Sequence, residues 1–220
     1  DVCSSDLMKL RLTILAAGTL ALMTAGSALA EGLTVKTGAI RYNTHSKTNG
    51  ISGIGIPAGA DAQVGDASTV VFTFEKALTP NVGVELVLGV PPTVKSKATG
   101  SVAFLGDNVL SAKNVAPTVF VNYHFGSPGD ALRPYVGLGL NYTKFVSIQS
   151  KLAPSVQMSE SMGMAWVGGV DYAISRQWGL YASASSLDVR SNVVGVASTV
   201  LTTSIDFRPV VYSVGASYKF

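Results

Sequence analysis

What most limits the folds open to this chain is a two-residue alternation that recurs eight times, with large apolar side chains on one file and glycine or polar residues on the other. The last example is the plainest. Over Val210 to Phe220, Val210, Tyr212, Val214, Ala216, Tyr218 and Phe220 form one file, and Val211, Ser213, Gly215, Ser217 and Lys219 form the other. A period of two is strand geometry, and the two files face different surroundings. With Phe220 as its last residue and no polar tail, this strand needs a neighbour on each edge or it presents an aggregation-prone template. A closed sheet supplies both neighbours, and lipid supplies an apolar exterior. The edge of a soluble sandwich is the competing reading of these residues, so the rest of the chain has to decide.

The first thirty residues follow another rule. Lys9 and Arg11 precede an apolar run from Leu12 to Met23, and Ala28-Leu29-Ala30 offers a small-x-small cleavage site before Glu31. This order predicts a cleavable signal peptide over residues 8 to 30. The run is shorter than the roughly 20 residues a membrane-crossing helix needs. Met8 is its natural start, so residues 1 to 7 read as upstream translated sequence or an expression scar. The single cysteine, Cys3, falls in that extension. The expected mature chain, residues 31 to 220, therefore has no disulfide, thiol nucleophile or cysteine metal site, and is long enough for one domain. Removing residues 1 to 30 takes away Lys9, Arg11, Asp1 and Asp6, and the formal net charge stays at +3. That surplus is scattered and gives no footprint for nucleic acid.

Along the mature chain, strands are expected at about 33–43, 68–76, 82–90, 115–125, 133–143, 162–174, 178–188 and 210–220. In the first, Val35, Thr37 and Ala39 facing out leaves Lys36 and Gly38 inside. The second sets Val70, Phe72 and Phe74 against Thr69, Thr73 and Glu75, and the third sets Val82, Val84, Leu86, Leu88 and Val90 against Gly83, Glu85, Val87 and Gly89. The fourth opposes Val119, Val121, Tyr123 and Phe125 to Thr118, Asn122 and His124. Pro117 belongs near its start or at a bulge, because proline cannot donate to a ladder. The fifth opposes Val136, Leu138, Leu140 and Tyr142 to Tyr135, Gly137, Gly139 and Asn141. In the sixth, Met162, Met164, Trp166, Val170 and Tyr172 oppose Gly163, Ala165, Gly169 and Asp171; in the seventh, Trp178, Leu180, Ala182 and Ala184 oppose Tyr181, Ser183 and Ser185.

The connections alternate. Residues 44–67, 91–114, 144–161 and 189–208 are long; 77–81, 126–132 and 175–177 are short. An up-and-down antiparallel sheet then gathers all long loops at one end and all tight turns at the other. A soluble sandwich would turn polar residues outward, whereas here a file rich in Val, Leu and aromatics opposes one with Glu85, Asn122, His124, Asn141, Asp171 and many glycines, a distribution that is cheapest with lipid outside. The expected fold is therefore all-β, an eight-stranded antiparallel up-and-down transmembrane β-barrel, preceded by a signal peptide and placed in a bacterial outer membrane. Tyr42, Phe74, Phe125, Tyr142, Tyr172, Trp178 and Tyr218 lie near strand ends, as membrane-interface anchors would; ordinary strand aromatics are the alternative.

Three stretches carry a family resemblance: Leu78-Thr79-Pro80-Asn81-Val82-Gly83-Val84-Glu85-Leu86, Ala116-Pro117-Thr118 followed by Asn122-Tyr123-His124-Phe125, and Arg133-Pro134-Tyr135-Val136-Gly137-Leu138-Gly139-Leu140-Asn141-Tyr142-Thr143. Through essentially the whole mature chain the sequence resembles the OmpW family of small bacterial outer-membrane proteins. The resemblance implies a narrow lumen with a hydrophobic passage that admits small apolar molecules and releases them through the wall. Where the family usually carries a Pro-Phe pair and a basic or histidine element, this chain has Pro91-Pro92-Thr93-Val94-Lys95, which leaves the solute unassigned.

Candidate lumen or passage residues are Glu85, Asn122, His124, Tyr135, Gly137, Gly139, Asn141, Asp171 and Tyr181. The Gly137 and Gly139 file suits close packing, or else a passage wall. Glu85 and Asp171 face inward and need a partner or water, for which Lys36 and Lys219 are the candidates. His45 and His124 lack zinc-ligand spacing. No serine stands in a nucleophile elbow, and no phosphate loop is present. No metal, cofactor or catalytic residue is expected. Segment 50–60 with Asp61 mixes apolar residues and glycine, as an outer entrance or a ligand-free cap would. Tyr218 and Phe220 look like the terminal signal read by the barrel assembly machinery. Expected partners are outer-membrane lipid, that machinery and small hydrophobic solutes, and a non-transporting structural or surface-interaction barrel is the alternative function.

Overall fold

The computed structural model describes residues 32–196 and 200–220. The expected signal peptide over 8 to 30, the extension before it and Cys3 lie outside the described residues. In chain order the strands are β1 (Leu33–Asn43), β2 (Lys47–Thr48), β3 (Ala60–Val64), β4 (Ala67–Ala77), β5 (Val82–Gly89), β6 (Thr93–Gly100), β7 (Leu110–Val115) and β8 (Thr118–His124). They continue with β9 (Leu132–Ser150), β10 (Ser155–Met158), β11 (Ser161–Ala173), β12 (Trp178–Leu187), β13 (Arg190–Val196), β14 (Val200–Asp206) and β15 (Val210–Lys219).

Eight of these close a ring. Neighbours run β11-β12-β15-β1-β4-β5-β8-β9, and β9 pairs back to β11. First and last strands meet from Thr34 opposite Lys219 to Asn43 opposite Val210, which satisfies both edges of the terminal strand. At this closure Gly38 faces Gly215, and a Cβ on either would collide with the partner's backbone. The expected files hold around the ring. In β8, Thr118, Phe120, Asn122 and His124 are buried while Val119, Val121 and Tyr123 are exposed. In β11, Met162, Met164 and Trp166 are exposed around a fully buried Ala165.

The long connections differ from expectation, because they are largely strand. β9 continues past the ring, and from Lys144 to Ser150 it pairs with β7, which β6 and β3 extend. β10, β13, β14 and β2 form a second sheet of four strands at the same end. The alternation inverts there. In β6, Lys95 and Lys97 are exposed while Ser96 and Ala98 are buried; in β3, Gln63 is exposed between the less exposed Ala60 and Val64. Reading for apolar residues outside therefore passed these strands over. Polar side chains face out once water replaces lipid, so the inversion marks the outer edge of the apolar band.

The lumen is the core. One continuous apolar cluster runs from Phe120 and Tyr135, past Tyr42, Val71 and Val211, to Val193, Ile205 and Phe207 in the outer sheets. Glycines set its width. A Cβ on Gly139 would strike the Val119 carbonyl and the Phe120 ring, and one on Gly169 would lie 2.6 Å from the Tyr135 ring.

Candidate functional site

Lys36 comes from β1, whose sparse pattern leaves it on the inward file, and its side chain is 1% exposed. Burying an ammonium in a barrel wall demands opposite charge close by. Its Nζ lies 3.0 Å from Glu75 of β4, 3.0 Å from Asp171 of β11 and 3.8 Å from Glu85 of β5. The rings of Tyr135 and Tyr181 stand 4.9 and 5.6 Å from the same nitrogen. Asn122 donates its amide to Glu85 at 2.6 Å. His124 has a carboxylate beside each ring nitrogen, Glu75 at 2.5 Å from Nε2 and Asp171 at 3.6 Å from Nδ1. Seven of the eight wall strands thus contribute to one polar floor across the half of the lumen nearer the tight turns.

Below this floor a recess of about 150 Å3 opens at the short-turn end, bounded by Glu75, His124, Asp171, Arg133 and Lys219 among others. Above it lies a smaller cavity of about 40 Å3, with Glu85 at its base and Tyr42, Val71, Phe120, Val167, Leu187 and Val211 in its walls. Higher still, Phe145 and Phe207 stack with centroids 5.2 Å apart. A void of about 10 Å3 flanked by Ala112, Met158 and Phe207 shares Ser96, Leu110 and Ile205 with an apolar cavity of about 80 Å3 between the outer sheets. Ile51, Val109, Leu152, Val156, Leu201 and Ile205 line that outer cavity.

The wall has a seam beside the middle cavity. Pairing between β5 and β8 ends at Val87 opposite Thr118. Beyond it come Pro91 and Pro92 on one side and Pro117 on the other, and none of the three has an N–H to donate. Val90 turns to the other neighbour, donating to Val70 at 2.9 Å, and the Pro117 carbonyl accepts from Tyr142 at 3.0 Å. Contact across the gap resumes where Asn114 donates to Pro92. Val87, Gly89, Ala116 and Thr118 along this seam all border the middle cavity.

Most candidate lumen residues lie close to one another. Glu85, Asn122, His124, Tyr135, Asp171 and Tyr181 share the floor. Gly137 lies over Asn122, and Asn141 donates to Thr118 at 2.7 Å one level higher. Lys219 instead stays exposed at the lower rim. Tyr42 is a correction: it is 8% exposed and points into the middle cavity, because it shares the inward parity of Lys36 and Ile40. Phe74, Phe125, Tyr172 and Trp178 do face outward at the short-turn end, and Tyr218 stacks edge-on against Trp178. Tyr142 stands alone among the expected anchors at the opposite edge, donating to Glu160. Segment 50–60 flanks the outer cavity through Ile51, while Ile54 is 85% exposed. Glu75 was missing from the candidates although its inward parity was legible. Glu75, His124 and Asp171 are close enough to suit a metal ion, but the ammonium of Lys36 already touches both carboxylates. The cation of this cluster is the protein's own.

A closed ring of eight antiparallel strands, apolar outside and ionic within, defines a small outer-membrane β-barrel. The OmpW family profile matches residues 30–220. Outer membrane protein W of Vibrio cholerae is 30% identical over 158 residues, 68% of this chain and 72% of that protein. The Dibenzothiophene metabolism operon protein PahQ of Pseudomonas aeruginosa is 26% identical over 146 residues, 66% of this chain and 67% of its own length. The crystal structure of the outer membrane protein OprG from Pseudomonas aeruginosa superposes with a TM-score of 0.80, covering 87% of this chain and 97% of that one; at 23% identity it speaks for the fold alone. The chain belongs to the OmpW family and is an outer-membrane protein.

Proposed function

We propose that the barrel takes small hydrophobic molecules from the outside into the outer cavity, passes them to the middle cavity, and releases them sideways into the membrane. The observation that carries this reading is the order of the lumen: apolar cavities above, an ionic floor below, and a wall seam without ladder pairing between them. An apolar cavity shelters such a solute from water at no chemical step. The floor argues against a straight aqueous pore, in keeping with an eight-stranded barrel whose side chains fill it. The relative PahQ is by name a protein of a dibenzothiophene metabolism operon, and an apolar aromatic compound is the kind of solute these walls suit.

Gly195 provides the test. Its position borders the outer cavity, and an added Cβ would sit an ordinary 3.4 Å from Ala153 and 3.7 Å from Leu201. Gly195→Leu should therefore fill the cavity without disturbing the ring. In vesicles, uptake of small aromatic hydrocarbons should exceed that given by an unrelated packed eight-stranded barrel, and Gly195→Leu should lower it toward that level. Equal uptake by the wild type and the unrelated barrel would refute passage and favour a structural or surface-interaction role.

A further inference from the structure

The outer rim of the apolar band carries basic side chains, and nearly all of their charge is answered locally. Arg41 pairs with Asp66 at 3.3 Å, Lys144 with Glu160 at 2.6 Å, Arg190 with Asp188 at 3.3 Å and Arg208 with Asp206 at 2.7 Å. Lys47 of β2 departs from that rule singly, and three lysines on β6 and β7 depart from it as a group. Lys95, Lys97 and Lys113 are exposed, and among the described residues none of them makes an ion pair or a hydrogen bond. The register puts them together on the outward face. Thr93 stands opposite Lys113, and Lys95 opposite Ser111. Lys95 is thus the diagonal neighbour of Lys113, about 7–8 Å away, and Lys97 follows two residues along the strand. Lys113 in turn faces Val146 of β9, two residues above the row that joins Val115 to Lys144.

The height of this patch names its occupant. On β9 the lipid-facing residues are Leu132, Val136, Leu138 and Leu140, followed by Tyr142 at the edge of the band. Lys144 lies four residues past Leu140, about 13 Å along the strand. The unpaired lysines therefore begin at headgroup level and rise from it. They stand directly over the proline seam, since β6 leaves β5 through Pro91-Pro92 and β7 enters β8 through Ala116-Pro117. Below them Val90, Val119 and Val121 form an exposed apolar strip. We infer that Lys95, Lys97 and Lys113 form a binding site for a phosphorylated glycolipid of the outer leaflet, whose phosphates meet the ammonium groups while its acyl chains lie over the seam. A free anion would gain nothing from the strip beneath, whereas a lipid uses both. The site stands whether or not solutes pass through the barrel.

The test is retention of diphosphorylated lipid A by the folded full chain in detergent, followed by native mass spectrometry. Wild type should hold one lipid A, and Lys95→Arg/Lys97→Arg/Lys113→Arg should hold it equally. Lys95→Gln/Lys97→Gln/Lys113→Gln should bind about a hundredfold more weakly, roughly a factor of five for each lysine. Lys47→Gln/Lys151→Gln/Arg176→Gln, which removes the same charge elsewhere, should bind as wild type does. Heat-modifiable gel mobility reports folding of each variant. Retention by the patch glutamine variant equal to wild type would overturn the inference. So would an equal loss in the distant variant, or wild-type retention of lipid A stripped of both phosphates as tightly as the phosphorylated form.

Discussion

Replacing Lys36 by methionine removes the one ammonium that joins three wall strands through their carboxylates, while keeping an unbranched chain against the Tyr135 and Tyr181 rings. The cost can be apportioned. Glu75 is 8% exposed and 3.0 Å from the ammonium but keeps His124 at 2.5 Å, so losing its ion pair falls toward the lower end of the range of about 3–5 kcal/mol for breaking a buried pair. Asp171 is 25% exposed and reaches the water of the lower recess, so its share approaches the roughly 0–1 kcal/mol of a surface pair. Glu85 lies farther away at 3.8 Å and keeps the Asn122 amide. The expected loss is therefore about 3–4 kcal/mol, most of it through Glu75. Urea unfolding in phospholipid vesicles, followed by emission from Trp166 and Trp178, gives the number. Lys36→Met combined with Glu75→Gln should recover more than half of the loss, because little unpaired charge then remains in the floor. A loss below about 1 kcal/mol in the single variant, or no recovery in the double, would refute the view that this cluster is a coupled ionic floor.

Other perturbations separate packing, assembly and rim electrostatics. Gly137→Ala puts a Cβ onto the Asn122 side chain and 2.9 Å from Val167, so it should cost about 1–3 kcal/mol in the same unfolding assay; an unchanged stability would show that the floor can yield. Phe220 is 56% exposed at the rim and stacks edge-on with Tyr218. There a charge costs only about 0–1 kcal/mol. Phe220→Asp should therefore refold almost normally in vesicles yet assemble poorly in cells, and equal effects in both would remove its role as an assembly signal. Hydrogen bonds from Lys144 and Tyr142 hold the Glu160 carboxyl below its usual range. Its contribution to stability is present above the unfolded-state pKa and fades as pH falls through the lower folded value. A nuclear magnetic resonance titration of Glu160 should show the depressed midpoint, and Lys144→Gln should raise it.

The barrel was legible because lipid forces a rule simple enough to survive in a single sequence. Every spanning strand must pair on both edges and turn its apolar file outward, and the eight files follow that rule from Val35 to Val214. The outer sheets obey the opposite rule, so Lys95 and Lys97 looked like loop residues when they mark one face of a strand. Tyr42 shows the limit at single-residue scale. Its position near a strand end suggested an anchor, but parity with Lys36 sends it inward, and parity was the stronger physical constraint. The floor was half visible. Inward carboxylates announce that a cation is needed, yet the choice of Lys36 over Lys219 depends on shear between strands, which brings β1, β4 and β11 to one level and has no signature in linear spacing.

The two halves of the lumen also make a comparison of exits possible. On the proposed passage, a solute in the middle cavity would have Glu85 beneath it and, beside it, the seam between Val87 and Pro92. Leaving downward requires parting the Lys36, Glu75 and Asp171 contacts, at about 3–5 kcal/mol for the buried pair alone, and then crossing a charged recess in which an apolar molecule is poorly solvated. Leaving sideways breaks no ladder hydrogen bond along the seam, since its prolines have no N–H to give, and ends in lipid against Val90 and Val119. For an apolar solute the lateral exit is therefore cheaper at both steps. On that proposal a charged solute would face the reverse order, and the same floor would serve selectivity as well as bracing the ring.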